Sequence, residues 1–430
     1  MSEEMLSRTV PPALQSITDF SFKHVEKKLL DNGIPVYVLN AGVQEVVKVE
    51  LIFKNPAFNQ SHPLLHGAAN RLLSEGTSAH TAQQLAEMVD YYGAYYETEQ
   101  STDHCSIVLH TLTKHLTNTL PVIHEIITDA EFPEKELGVY KQNNKQRLAV
   151  ENEKVASLGR RKFAEIIFGP NHGYGYFVSP GDYDKLTQTE LKSFHRSHYV
   201  GNHCTIVISG KITDDVLITL NTVFGKQDWM KSNGAEAAVT EFQPSSQKIN
   251  YIEKEGAIQS AIRVGKPLFN KTHPDYAGMQ VLNTVLGGYF GSRLMKNIRE
   301  DKGYTYGIGS AAVSMIQGGY FFIASEVGAD VCEKALYEIY SEIEILKTQP
   351  VAEDELQMVK NYMLGSFLKS IDGAFNLADR WKGIMFYNLG YDYYDRFIQT
   401  VKSLSSAEMM ALAQKYFQRD SLFELVVGKK

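Results

Sequence analysis

The chain has 430 residues, of which 43% are hydrophobic and 22% charged, and its formal net charge is −7. This composition is ordinary for a globular protein and leaves room for two domains of roughly 200 residues each. The mild charge argues against nucleic acid as the main partner. No apolar run reaches the roughly 20 residues of a membrane helix, and the start Met1-Ser2-Glu3-Glu4, without a basic and then an apolar stretch, predicts no secretory leader. We therefore expect a cytoplasmic protein with no nucleic-acid and no membrane partner.

Residues 1 to about 25 are predicted to form a loosely structured arm, because Pro11-Pro12 interrupts any helix. Alternating and helical periodicities then follow in the first half. They predict strands over 36–39, 47–53, 95–98, 105–112 and 203–209, and helices over 64–73, 81–92, 115–128 and 134–149. Ser61 and Thr81 are the predicted caps of the first two helices.

Periodicity is lost over residues 229–248, which are rich in small and polar side chains and are predicted to be a linker. The predicted domains are therefore 1–228 and 249–430. In the second domain the pattern predicts strands over 249–253, 258–265, 305–313, 319–326 and 422–427, and helices over 275–286, 290–302, 331–347, 353–369, 375–387 and 405–417.

The second half repeats the first. Ser61-His62-Pro63 matches Thr272-His273-Pro274 at an offset of 211, and Glu190 to Gly210 matches Glu408 to Gly428 at an offset of 218. Matches that keep the same order indicate two copies of one domain. Strands separated by helix pairs predict an α+β fold of two homologous domains, each a mostly antiparallel sheet covered by helices on one face.

One segment of the second half carries a specific resemblance. Gly287-Gly288-Tyr289-Phe290-Gly291-Ser292-Arg293-Leu294 is followed by Arg299-Glu300-Asp301-Lys302-Gly303-Tyr304-Thr305-Tyr306. This pattern resembles the C-terminal domain of pitrilysin/insulinase-type zinc peptidases, the inverzincins. A weaker similarity, including the duplication and the linker, covers nearly the whole chain.

Active members of that family carry His-x-x-Glu-His on a helix of the first domain, where two histidines bind zinc and the glutamate activates water. Counted back from Gly76-Thr77, these positions fall on Gly67, Asn70 and Arg71, and the distal carboxylate ligand falls near Asn143. None of the four side chains can replace the family's ligands or its base. The resemblance therefore implies no metal in this chain.

The resemblance also assigns roles in the second half. Arg299 would anchor the substrate backbone, and Tyr306 would donate a hydrogen bond to the oxyanion of the tetrahedral intermediate. Some family members divide the site between two chains. We therefore expect a non-catalytic, substrate-binding subunit of a heterodimeric zinc metallopeptidase, inactive alone, which supplies both residues to a homologous partner that holds the zinc.

Two alternatives stay open from the sequence. The chain could be a homodimeric peptide-binding or assembly scaffold of the same fold without enzymatic activity, or a metallopeptidase with unexpected ligands. His62 and His66 are four residues apart, but no third ligand is near them in the sequence, so capping or packing is the expected role of both. The three cysteines are widely spaced, and we expect buried thiols.

Overall fold

A computed structural model describes residues 22–229 and 241–429 of the chain. Most of the predicted N-terminal arm and the centre of the predicted linker, residues 230–240, lie outside the described residues. The domain boundaries at 228 and 249 stay predictions; in the structure the last helix before them ends at Phe224 and the first strand after them begins at Ile249. No helix in the described ranges combines the length and the apolar character needed to cross a bilayer.

The first half forms a six-stranded sheet in the order β1-β2-β6-β3-β5-β4, antiparallel except for the parallel pair β2–β6. The strands are β1 (Glu26–Leu29), β2 (Pro35–Asn40), β3 (Val46–Lys54), β4 (Tyr95–Gln100), β5 (His104–Leu112) and β6 (Cys204–Gly210). The helices are α1 (Leu65–Leu72), α2 (Ala82–Asp90), α3 (Leu116–Thr128), α4 (Glu134–Glu153), α5 (Val155–Phe168), α6 (Pro180–Asp184), α7 (Gln188–His198) and α8 (Asp214–Phe224).

The second half forms a five-stranded sheet in the order β7-β11-β8-β10-β9, again with one parallel pair, β7–β11. The strands are β7 (Ile249–Glu253), β8 (Gln259–Leu268), β9 (Thr305–Met315), β10 (Gly318–Gly328) and β11 (Phe423–Gly428). The helices are α9 (Tyr276–Asn283), α10 (Cys332–Thr348), α11 (Glu353–Lys369), α12 (Ala374–Met385), α13 (Asp392–Ser403) and α14 (Ser406–Tyr416), with a wide helical turn over Met295–Asp301.

The two sheets have one topology, since β2-β6-β3-β5-β4 and β7-β11-β8-β10-β9 visit their strands in the same sequence order. The predicted fold class is confirmed. Strand predictions agree with the structure to within a few residues, and Thr81 caps α2 in a capping box as predicted. The prediction for Ser61 is wrong: α1 begins at Leu65 without a side-chain cap, and the Ser61 amide instead donates to Asn59.

Each half covers one face of its own sheet with helices and the other face with a helix taken from the opposite half. Helix α5 packs through Phe163 and Ile167 on Leu425 of the second sheet. Helix α12 packs through Ala378 on Ile52 of the first sheet. Because central strands such as β3 and β11 are buried on both faces, the pairing of the two halves is part of the hydrophobic core rather than a loose contact between domains.

Candidate functional site

Helix α1 carries three of the four positions that correspond to the family's zinc motif. At Gly67 the side-chain amide of Gln100, from edge strand β4, occupies the place where a Cβ atom would project. The space that a ligand side chain would need is therefore filled by β4.

Both polar groups of the Asn70 side chain form hydrogen bonds within the protein. Asn70 is 1% exposed, its amide nitrogen donates to the Glu99 carbonyl at 2.8 Å, and its oxygen accepts a hydrogen bond from the Tyr199 hydroxyl at 3.2 Å. These contacts tie α1 to β4 and to the end of α7. An amide held in this way neither binds a proton near neutral pH nor has a free lone pair aimed at a substrate.

Arg71 and Asn143 are both exposed, Arg71 at the end of α1 and Asn143 on the middle of α4. The structure reveals two carboxylates near Arg71 that the sequence analysis did not single out. Burial raises the pKa of Glu75, the Arg71 charge lowers it and Glu136 raises it. The guanidinium thus compensates acidic side chains in the region to which the resemblance assigns zinc. In the sequence, the spacing of four residues between Glu136 and Tyr140 could have indicated that both lie on one face of α4.

No group of three or more His, Cys, Asp or Glu side chains within residues 22–229 and 241–429 is arranged to hold a metal ion. His62 lies 3.1 Å from a carboxylate oxygen of Glu190. His66 is largely buried, which lowers its pKa. The three cysteines are buried and none is in a disulfide among the described residues, in line with the prediction of buried thiols. The side chains at the motif positions do not fit zinc.

Arg299 lies on the wide helical turn Met295–Asp301. Its guanidinium carbon is 4.6 Å from the ring centroid of Phe290, a cation–π contact. Its Nη1 is buried and has no hydrogen-bond partner among the described residues. An unpaired, buried guanidinium nitrogen is costly unless a ligand or another chain completes it.

Tyr306 is presented by an irregular start of β9. Gly303, with φ of +68°, ends the helical turn in a conformation that favours glycine. The pairing then runs from Thr305 opposite Val327 to Ile308 opposite Ser325, so β9 carries one extra residue. Such a bulge redirects side chains and is frequent beside functional sites. Tyr306 is 94% exposed.

The phenol of Tyr306 borders an open cleft of about 860 Å³ between the halves. The other walls are the turn between α4 and α5, with Glu153 and Lys154, and the turn between β7 and β8, where Ile258 is 86% exposed. The chain thus offers a hydrogen-bond donor and an exposed apolar side chain at one opening. Arg299 does not line this cleft.

Strand β4 is one edge of the first sheet and β9 is one edge of the second, so each leaves a row of backbone groups unpaired within its sheet. Strand β4 runs beside α1, because Gln100 packs on Gly67 and Glu99 bonds to Asn70. Burial raises the pKa of Glu99. The edge that can accept an extended peptide therefore lies next to the zinc-motif positions.

Comparison with known proteins gives a consistent result. The family model described as the peptidase M16 inactive domain matches residues 185–363. The chain is similar to YmxG, an uncharacterized zinc protease of Bacillus subtilis, at 24% identity over 410 residues that cover 94% of this chain and 98% of that protein. An uncharacterized zinc protease of Streptomyces coelicolor is 21% identical over 327 residues, which cover 74% of this chain and 71% of that protein.

Solved structures agree with the fold. The peptidase M16 inactive domain from Pseudomonas fluorescens has a TM-score of 0.82 at 22% identity and covers 94% of this chain and 98% of that chain. A protease from Helicobacter pylori has a TM-score of 0.84 at 16% identity, with 95% and 100% covered. Residues 185–363 thus match the peptidase M16 inactive domain and the whole chain shares the fold of such proteins, which confirms the resemblance to the pitrilysin/insulinase-type peptidases predicted from its sequence.

Proposed function

We propose that this chain is the non-catalytic, substrate-binding subunit of a two-chain zinc peptidase, and that Arg299 and Tyr306 act in the active site of a homologous partner that carries His-x-x-Glu-His. The observation that carries the proposal is a contrast within the chain. Gln100 fills the place beside Gly67 and Asn70 is held in structural hydrogen bonds, whereas Nη1 of Arg299 has no partner among the described residues and Tyr306 is exposed.

The chemistry of the two residues supports the assignment. A phenol hydroxyl is a good hydrogen-bond donor to a developing oxyanion, and such a donor counts most when it is held in place before the reaction. The bulge at the start of β9 and the bond from Tyr304 N to Ile298 O, 3.0 Å long, fix the backbone on both sides of Tyr306. The free Nη1 of Arg299 is suited to a peptide carbonyl.

Substrate binding is proposed to use the exposed edge of β4. A peptide that adds as a further strand is held mainly through its backbone, so many sequences are accepted. Its side chains would alternate between the α1 side, where Gln100 lies, and the opposite side, where Tyr95 stacks on His110 with ring centroids 4.6 Å apart. A chain of this kind binds peptides but needs its partner to hydrolyse them.

The test is reconstitution. The purified chain is mixed with a homologous chain bearing an intact His-x-x-Glu-His motif, and cleavage of a fluorogenic peptide is followed. We expect no turnover by this chain alone and turnover by the mixture. Tyr306→Phe should lower kcat about 100-fold or more with little change in KM, as the loss of an oxyanion donor does. Arg299→Ala should lower kcat/KM by raising KM.

Matched controls are Tyr91→Phe and Arg196→Ala, which change the same residue types at exposed positions on other surfaces. Both should leave turnover unchanged. Full activity of the mixture with Tyr306→Phe would refute the assigned role. Turnover and stoichiometric zinc in this chain alone would refute the subunit proposal. Self-association and peptide binding without any gain from a zinc-bearing partner would favour the homodimeric scaffold.

A further inference from the structure

The two halves differ in how the outer surface of one helix is covered. In the first half, α8 packs over α3, and the residues that follow it continue across the same surface. Phe224 at the end of α8 contacts the ring of His124 on α3, with centroids 5.2 Å apart. Trp229 lies 6.3 Å from the same ring and donates its indole N–H to the Tyr199 carbonyl at 2.9 Å. Helix α8 and Trp229 together form a cap on α3.

In the second half the counterpart surface is a groove. Its volume is about 520 Å³, and its walls include Leu336, Tyr337 and Tyr340 of α10 together with Phe417 and Arg419. The alignment of Leu116, Leu120 and Ile123 on α3 with Cys332, Leu336 and Ile339 on α10 puts Tyr340 at the place of His124. Phe417 matches Tyr199 at the offset of 218. The groove is therefore lined by the counterparts of His124 and Tyr199, two of the residues that Trp229 contacts.

Within the described ranges, nothing takes the place of the cap over this groove. Tyr337 is 71% exposed. The guanidinium carbon of Arg419 lies over the Tyr340 ring, 3.2 Å from its centroid, and the side chain forms no ion pair with a described carboxylate. The groove thus combines an aromatic floor with an accessible cation, whereas the same surface of the first half is covered by the chain itself.

We propose that this groove binds an amphipathic helix of a partner protein, of the same type as α8. The first half specifies the chemistry of that helix. It presents buried apolar residues at Val216, Leu220 and Phe224, at intervals of four, and an aromatic residue, Trp229, shortly after its end. A carboxylate close to the C-terminal end of the helix would pair with Arg419, because Arg419 lies on Tyr340, the counterpart of the His124 ring that Phe224 and Trp229 contact. Binding follows the helix-in-groove mode, with apolar anchors seated between charged rims.

The probe is a fluorescently labelled peptide with the sequence of residues 213–229 of this chain, titrated into the full chain and followed by anisotropy. We expect saturable binding, with slower hydrogen exchange of α10 when the peptide is bound. The same peptide with Phe224→Ala and Trp229→Ala should bind at least about tenfold more weakly, because anchors of this kind dominate such interfaces.

The groove variant is Tyr337→Lys, which places a charge at an exposed position and leaves the core intact. It should weaken binding about tenfold or more. The control is Ile218→Lys, at a position 62% exposed on α8 of the first half, which should not alter the affinity. Arg419→Gln should lower the affinity less and remove most of its salt dependence.

Absence of saturable binding to the full chain would overturn the proposal, and so would binding that is indifferent to Tyr337→Lys or protects α3 instead of α10. The proposal does not depend on the peptidase reading, since neither Arg299 nor Tyr306 lines the groove.

Discussion

The two halves share a topology but place opposite charges at the same point of it. Glu50 on β3 lies opposite Val207, and Arg263 on β8 lies opposite Leu425, which matches Val207 at the offset of 218. Glu50 is 1% exposed and accepts hydrogen bonds from Lys382 of α12 at 2.6 and 2.7 Å. Arg263 instead donates to Glu326 and to the backbone of α5. Each buried charge is completed by a helix from the other half.

A second contrast lies in the helical segments beside the edge strands β4 and β9. In the first half, α1 is bonded to β4 through Asn70, and its polar groups are satisfied internally. In the second half, the segment leading into β9 leaves a guanidinium nitrogen without a partner and a tyrosine almost fully exposed. The two copies of this region have thus diverged. In the first half, α1 is a structural joint that is bonded to β4, and in the second half the segment before β9 leaves polar groups unpaired or exposed. The following predictions test how far this asymmetry extends.

The largest effect is expected from Lys382→Met. The substitution leaves the Glu50 carboxylate buried, with Lys48 at 3.7 Å as the remaining cation nearby. Removing one partner of a buried ion pair costs about 3 kcal/mol or more, and urea unfolding monitored by circular dichroism would measure it. Lys211→Met, which removes an exposed pair with Glu45, should shift the urea midpoint far less, because water screens an exposed pair. Equal effects of the two would show that the halves are not joined through Glu50.

Asn70→Ala should cost about 2 kcal/mol, because it leaves the buried Tyr199 hydroxyl and the Glu99 carbonyl without their partner. Its matched control is Asn143→Ala, at an exposed motif position, with an expected change below about 0.5 kcal/mol. Chemical denaturation of both variants decides the comparison. If the two losses are alike, α1 is not the structural joint described above.

Acid sensitivity should be concentrated in the first half. Burial, with smaller contributions from the charges of His203 and His66, lowers the pKa of His198 to about 4, and the carbonyl of Lys54 opposes this shift. The unfolded chain therefore binds a proton near pH 6.5 that the folded chain resists until about pH 4. Stability is complete above pH 6.5 and falls as the pH drops through this window, by about 1–2 kcal/mol at pH 5. His198→Gln should flatten the dependence of the urea midpoint on pH between 7 and 5. A slope unchanged by this variant would remove His198 as its cause.

The smallest effects should be equal in the two halves. Thr187 caps α7 and Ser405 caps α14, each in a capping box with a glutamate three residues later, at counterpart positions. Thr187→Ala and Ser405→Ala should each lower stability by about 1 kcal/mol. A difference much larger than this between the two would mean that the halves unfold separately, which the exchanged helices α5 and α12 argue against.

Much of the fold was predictable because the alternating pattern of strands, the helical pattern and the turn residues each reflect interactions between residues close together in the chain. Strand β7 was predicted with its observed limits, α11 likewise, and the duplication predicted the common topology of the sheets. Helices α5, α6, α7, α8 and α13 were not predicted. Helix α5, for example, gains part of its stability from packing on the second sheet, which lies far away in the sequence.

The candidate site, too, could be predicted from the sequence only in part. The residue types alone determined that Gly67, Asn70 and Arg71 cannot serve as a zinc motif, because ligand and base chemistry belong to the side chain whatever its surroundings. Only the tertiary structure decided that Gln100 fills the place beside Gly67, that Arg299 has an unpaired nitrogen and that a bulge exposes Tyr306. Burial and pairing depend on contacts between residues distant in the chain, and a local pattern carries no information about which of them meet.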